Sequence, residues 1–158
     1  MSNSQDLLSK GLQKGFGGLT DKQTTNRGGF ELTSSHYEDG DQIYHDEWVN
    51  GGGSELVKSV ENSMVRVYVG NVISQEKLEE LGISEDDIMG LLKSIILEHA
   101  DQIRLDKDFS ITVGDWHYDY RVTYKRKDPY IINGIEEIFY KNQSVFVHTF
   151  GMSPIIES

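Results

Sequence analysis

Two stretches decide how this chain folds: "GDQIYHDEWVNGGGSE", from Gly40 to Glu55, and "GDWHYDYRVTYKRKDPYIINGIEE", from Gly114 to Glu137. Both open on Gly-Asp, set aromatic residues in alternation with polar ones, and reach a glutamate beyond a glycine-bearing stretch. Alternation with a period of two is the pattern of a strand covered on one face. Aligning Glu55 with Glu136 brings Gly70 and Gly151 into register as well, so the two phrases read as one antiparallel β unit written twice.

Working outward from the doublet, strands are expected at 43–49, 55–60 and 64–69, and again at 110–113, 116–125, 134–140 and 144–150. "ENS" (Glu61 to Ser63) and "KNQ" (Lys141 to Gln143) have hairpin-turn composition at matching places. Between the two groups, "SQEKLEELG" begins on the N-cap candidate Ser74 and ends on Gly82, a suitable C′ residue. Ser84 caps again, with Glu85, Asp86 and Asp87 in the first turn, where the helix dipole favours negative charge. Ile88, Leu91, Leu92, Ile95, Ile96, His99 and Ile103 then recur at helical spacing, which predicts one long helix from Ser84 to Arg104. At the N-terminus, Leu7, Leu8 and Leu12 behind Ser4 predict a short packing helix.

The expected organisation is a single domain over 1–158: an N-terminal helix at 1–13, a glycine-rich loop at 14–30, a first β unit at 40–73, helices at 74–104 and a second β unit at 110–156. Strands, then helices, then strands is the α+β order. The fold expected is a curved antiparallel sheet made of two similar β units packed on one long helix.

The balance of 15 Lys+Arg against 26 Asp+Glu leaves a net charge of -11. Such a field repels phosphate backbones and anionic lipid, so neither nucleic acid nor membrane is expected as a partner. With no cysteine, thiol catalysis, disulfides and thiolate metal sites are excluded. His45, His117 and His148 have neither HExxH nor H-x-H spacing, so no metal and no cofactor is expected. The N-terminal residues lack an apolar stretch of signal-peptide length, and the expected location is the cytoplasm.

If 116–124 is a strand, Trp116, Tyr118, Tyr120, Val122 and Tyr124 share one face and His117, Asp119, Arg121 and Thr123 the other. The polar row either converges on an anion or amide or is a solvated outer face carrying cross-strand ion pairs. Aromatics beside a few convergent polar groups are the composition of a binding pocket. A ligand-binding concavity is expected from Tyr44, Trp48, Tyr68 and Tyr118, with Glu55, Arg66, Arg121 and Glu136 supplying its polar groups. Glu55 and Glu136, if brought together, are a candidate acid–base pair with one raised pKa; otherwise each fixes its turn. No catalytic residue is assigned. Three function classes fit these residues: a small-molecule binding or sensing domain, an acidic protein-interaction module of inhibitor or immunity type, and a hydrolase with paired carboxylates. His99, on the apolar helix face, is expected to be buried and hydrogen-bonded.

The series "GGF" (Gly28 to Phe30), "DGDQIYHDEWVNGGGSELV" (Asp39 to Val57), "VYVG" (Val67 to Gly70), "GDWHYDY" (Gly114 to Tyr120) and "NGIEEIFYKNQSVFVHTFGM" (Asn133 to Met152) resembles a bacterial domain family of unknown function, found alone or behind XRE-type helix-turn-helix domains. Arg66 stands where that family's pattern has an aromatic, and Met152 where it has a second glycine. The resemblance implies a stand-alone α+β domain of bacterial or phage-like origin and brings no catalytic residue with it. A basic recognition helix is missing from the sequence, so DNA binding is not carried over.

Overall fold

The computed structural model describes residues 2–14, 21–60, 63–104 and 106–155, with side chains from Leu8 onward. Nine strands form one antiparallel sheet: β1 Gln23–Arg27, β2 Phe30–Asp39, β3 Gln42–Val49, β4 Gly52–Lys58, β5 Ser63–Val72, β6 Phe109–Val113, β7 Trp116–Lys127, β8 Tyr130–Tyr140 and β9 Gln143–Pro154. Three helices accompany them: α1 Ser2–Lys14, α2 Gln75–Leu81 and α3 Glu85–His99. The strand order is β1-β2-β3-β4-β5-β9-β8-β7-β6. Each group of strands is a meander of hairpins, and α2 with α3 carries the chain across so that the last strand of one meander pairs with the last of the other. Glu55 on β4 and Glu136 on β8 therefore lie one strand to either side of the β5–β9 seam.

The expectation of a sheet packed on one long helix is overturned, because the described residues are mostly strand and the helices among them are three short ones. Span explains why. Nine strands are about 38 Å across at ~4.8 Å per neighbour, whereas the 15 residues of α3 reach only about 22 Å. The covering is divided: Leu8 and Leu12 of α1, Leu78 of α2, and Ile88, Leu92, Ile95 and Ile96 of α3 are all buried in one core with the sheet's Tyr44, Tyr118 and Ile138. α1 sits over β2, β3 and β4, where Ser9 Oγ donates 2.6 Å to the Ala100 carbonyl and anchors it to the end of α3. Its first turn begins at Ser2, so Ser4, read as a cap, is inside the helix.

Local signals placed the other helix ends. Gly82 adopts φ 69° and its N–H bonds back to Glu79, the left-handed stop that glycine makes without a steric penalty. Ser84 Oγ accepts from the Asp87 N–H at 3.2 Å while Asp87 accepts from the Ser84 N–H at 2.8 Å, a reciprocal capping box. The far end of α3 departs from the periodicity: it stops at His99, and the 2.8 Å Gln102 N–H to His99 carbonyl bond tightens the chain into turns. Ile103 stays fully buried, and Arg104 comes next at φ 57°.

The sequence reading fails at three further places, the first being β2, Phe30–Asp39, which falls between the expected loop and the expected first β unit and was read as no element. Gln23–Arg27, inside the stretch read as a loop, pairs with β2 as an edge strand whose residues are all exposed; residues 15–20 of that stretch lie outside the described residues, as do 61–62 of the "ENS" turn. In β7 the register shifts between Val122 and Tyr124, so Tyr124 leaves the face it was expected to share with Tyr118 and is 49% exposed. A bulge inserts one residue and inverts the parity of the strand beyond it.

Candidate functional site

Five ionisable side chains, Asp46, Glu55, Arg66, Arg104 and Glu136, are each no more than 5% exposed. Charges are taken out of water only when paired and hydrogen-bonded, and four of these, Glu55, Arg66, Arg104 and Glu136, are paired with one another. Arg104 Nε and Nη2 each lie 2.9 Å from a different oxygen of Glu136, a bidentate fork. Its Nη1 is 3.7 Å from Glu55 Oε1, and Arg66 Nη1 donates to the other oxygen of Glu55. One guanidinium thus stands between the two glutamates of the doublet.

The tyrosines complete the two halves in parallel. Tyr44 donates 3.1 Å to Glu55, and Tyr118 donates 2.7 Å to Glu136. Tyr44 and Tyr118 are held well above the ordinary phenol value by burial first and then by their glutamates, so both remain hydrogen-bond donors. Burial alone would raise the Glu136 carboxyl, but the Arg104 charge, polar contact with His148 and Arg104, and the charge of Arg66 together hold it well below the usual carboxylate range. Its approach to His148 Nδ1 is 3.6 Å, longer than a hydrogen bond.

The raised carboxyl expected of the glutamate pair is found on Asp46 instead. Burial, and then the Glu55 charge, push it up to about 7 against the opposing effects of the Tyr68 hydroxyl, Arg104 and Arg66. Three acids share two guanidinium groups in this cluster, and Asp46 is the acid that neither of them contacts directly: among the described residues it accepts a hydrogen bond only from Tyr68, at 3.1 Å.

Above this network is a cavity of about 340 Å³. Its floor carries Asp46, Arg104 and His148, its walls Trp48, Tyr68 and Phe146, and α3 closes it with Met89 and Leu92. The β3–β4 turn at Asn50 and Gly51 forms one rim, tied to β5 by the Asn71 to Asn50 side-chain bond at 2.8 Å and the Gly70 N–H to Gly51 carbonyl bond at 3.0 Å. Gly70 is required there, since a Cβ would lie 1.9 Å from the Val147 carbonyl oxygen.

Of the residues expected to line a concavity, Trp48 and Tyr68 do so. Tyr44, Glu55, Arg66, Tyr118 and Glu136 are beneath it, in the buried network or its hydrogen bonds, and none of them lines the cavity. Glu55 and Glu136 are mid-strand rather than at strand starts, and their partners are guanidinium groups rather than turn amides. Arg121 is elsewhere: its side chain is 48% exposed and pairs with Asp119 at 2.7 Å and with Glu137. The His117–Asp119–Arg121 row is therefore an outer face, with one ion pair along β7 to Asp119 and one across to Glu137 of β8. Arg66 keeps two buried donors, Nε and Nη2, without a hydrogen-bond partner, and its guanidinium carbon lies 5.1 Å from the Phe150 ring centre and 5.5 Å from that of Tyr68.

Asp46 and Arg104 were missed. Period two along β3 puts Asp46 on the face of Tyr44 and Trp48, so its position was readable; Arg104 had no local signal. The histidines are dispersed, His45 beside His36, His117 beside Thr112, and His148 on the cavity floor. Among the described residues no group of three or more metal-ligating side chains is gathered. His99 packs its ring 5.2 Å from that of Phe109 and its Nδ1 finds no hydrogen-bond partner, contrary to the expected bond. No helix among the described residues is long and apolar enough to cross a membrane. Compared with protein-family models, curated proteins and solved structures, the chain shows no match.

Proposed function

We propose that the protein binds a small molecule in the cavity between α3 and the first half of the sheet, as a sensing or carrier domain. The observation that carries this reading is the combination of a cavity of about 340 Å³ with a floor of buried, mutually fixed charges. Its volume is at the lower end of the ~300–1,000 Å³ typical of ligand pockets. Apolar walls with a few positioned polar groups favour binding, and the network beneath holds those groups without reorganisation. A bacterial cytoplasmic setting belongs to the same reading, supported by the family resemblance of the sequence from Gly28 to Met152.

A second reading has its own observation. Glu76, Glu79, Glu80, Glu85, Asp86 and Asp87 are all exposed along α2 and the first turn of α3, a field suited to steering a basic protein partner. A fragment screen read by amide and indole NMR shifts separates the two. The pocket reading expects hits that move Trp48, Tyr68 and Met89; a library that moves none of them overturns it.

A further inference from the structure

The cavity's chemistry is specific enough to name a ligand class, an inference that rests on the pocket reading. We propose that the cavity accepts a small organic cation, with its ammonium group against Asp46 and between the rings of Trp48 and Tyr68.

Charge and saturation of the floor carry this. Asp46, Glu55 and Glu136 face Arg66 and Arg104, one negative group in excess. Arg104 gives Nε and Nη2 to Glu136 and holds Nη1 3.7 Å from Glu55, so its charge is already offset by two carboxylates before an anion could enter. Asp46 lines the cavity, is 3% exposed, and has one oxygen that accepts from no described residue. The exposed Glu31 and Glu85 add the same sign at the rim. Rings supply the rest of the wall, and a cation over an aromatic face is stabilised by the ring quadrupole. Lys22 Nζ lies 5.7 Å from the centre of the Trp48 ring, so this indole face is already within reach of a cation. Asp46 is also the one acid here whose proton is readily exchanged for another positive charge, because burial and Glu55 raise its carboxyl to about 7.

The test uses the full chain at about pH 8, where Asp46 is ionised. Choline, its neutral carbon isostere 3,3-dimethylbutan-1-ol, and butyrate are each titrated while the Trp48 indole resonance is tracked. Choline is expected to saturate, with at least about tenfold preference over the isostere, the ~1.4 kcal/mol of an ammonium on aromatic faces beside a carboxylate. Asp46→Asn is expected to abolish that preference. Equal binding of choline and the isostere, or binding of butyrate in preference to choline, overturns the cation inference and leaves the pocket standing. If none of the three moves Trp48 the inference also falls, and the fragment screen alone then decides whether the cavity binds anything. The wild-type comparison keeps the test decisive should Asp46→Asn fail to fold.

Discussion

Arg104, the first residue beyond the buried turn that ends α3, grips both oxygens of Glu136 at 2.9 Å from a strand on the far side of the β5–β9 seam. The bond is long-range in sequence and joins the helical layer to the sheet through charge rather than apolar contact. Removing one partner of a buried pair leaves the other uncompensated, at a cost of about 3–5 kcal/mol. Arg104→Met is therefore expected to lower the unfolding free energy by that order, read as a lower urea midpoint, and Glu136→Gln to destabilise the fold near neutral pH rather than stabilise it. A Glu136→Gln midpoint above wild type would show that the glutamates repel more than Arg104 attracts.

Asp46 sets the pH dependence in the window its own shift defines. Its carboxyl rises from the ordinary 3.8 to about 7 in the fold, so between those values the folded chain holds a proton that the unfolded chain has released. Stability must then fall as pH rises through that window, by up to about 1.4 kcal/mol per pH unit, and level off above it. Glu136 acts in the opposite sense at lower pH: its depressed pKa contributes stability above the unfolded value, lost as pH falls through the folded one. Denaturation series at about pH 5 and pH 7 check this. Asp46→Asn is expected to remove the decline, and an unaltered slope in that variant would assign it to another group.

Gly11 lets α1 approach the sheet closely. A Cβ there would lie 2.2 Å from Cγ of the fully buried Tyr44 ring. Overpacking of this kind typically costs about 1–3 kcal/mol, outweighing the helix propensity gained. Gly11→Ala is expected to lower the melting temperature and to speed amide exchange in α1 more than in β7 to β9. Uniform exchange across the chain would mean that the helix shifts at no cost.

Ile95 is 3% exposed on α3. Ile95→Ala should lower stability by about 2–5 kcal/mol, read as a shift in the denaturant midpoint at constant slope. An unchanged midpoint would make α3 peripheral to the core.

Period-two alternation determined most of the faces of β7 before any coordinates, because a strand's parity is a property of neighbouring residues alone. The capping box at Ser84 and the left-handed stop at Gly82 were legible for the same reason: each is satisfied by backbone within a few positions. β1 was not legible, since its residues are polar and exposed, and only pairing with β2 makes them a strand. Nor was the division of cover among three helices, which arises from the width of the sheet and not from the pattern on any one helix. The glutamates of the doublet were visible as a pair, but their roles were not. Whether two carboxylates face each other, a solvent or a guanidinium depends on distances between strands and on where the chain turns after His99, and a linear sequence carries no distances. Tertiary structure put Arg104 between Glu55 and Glu136, left Asp46 as the unmatched acid, and opened the cavity above them.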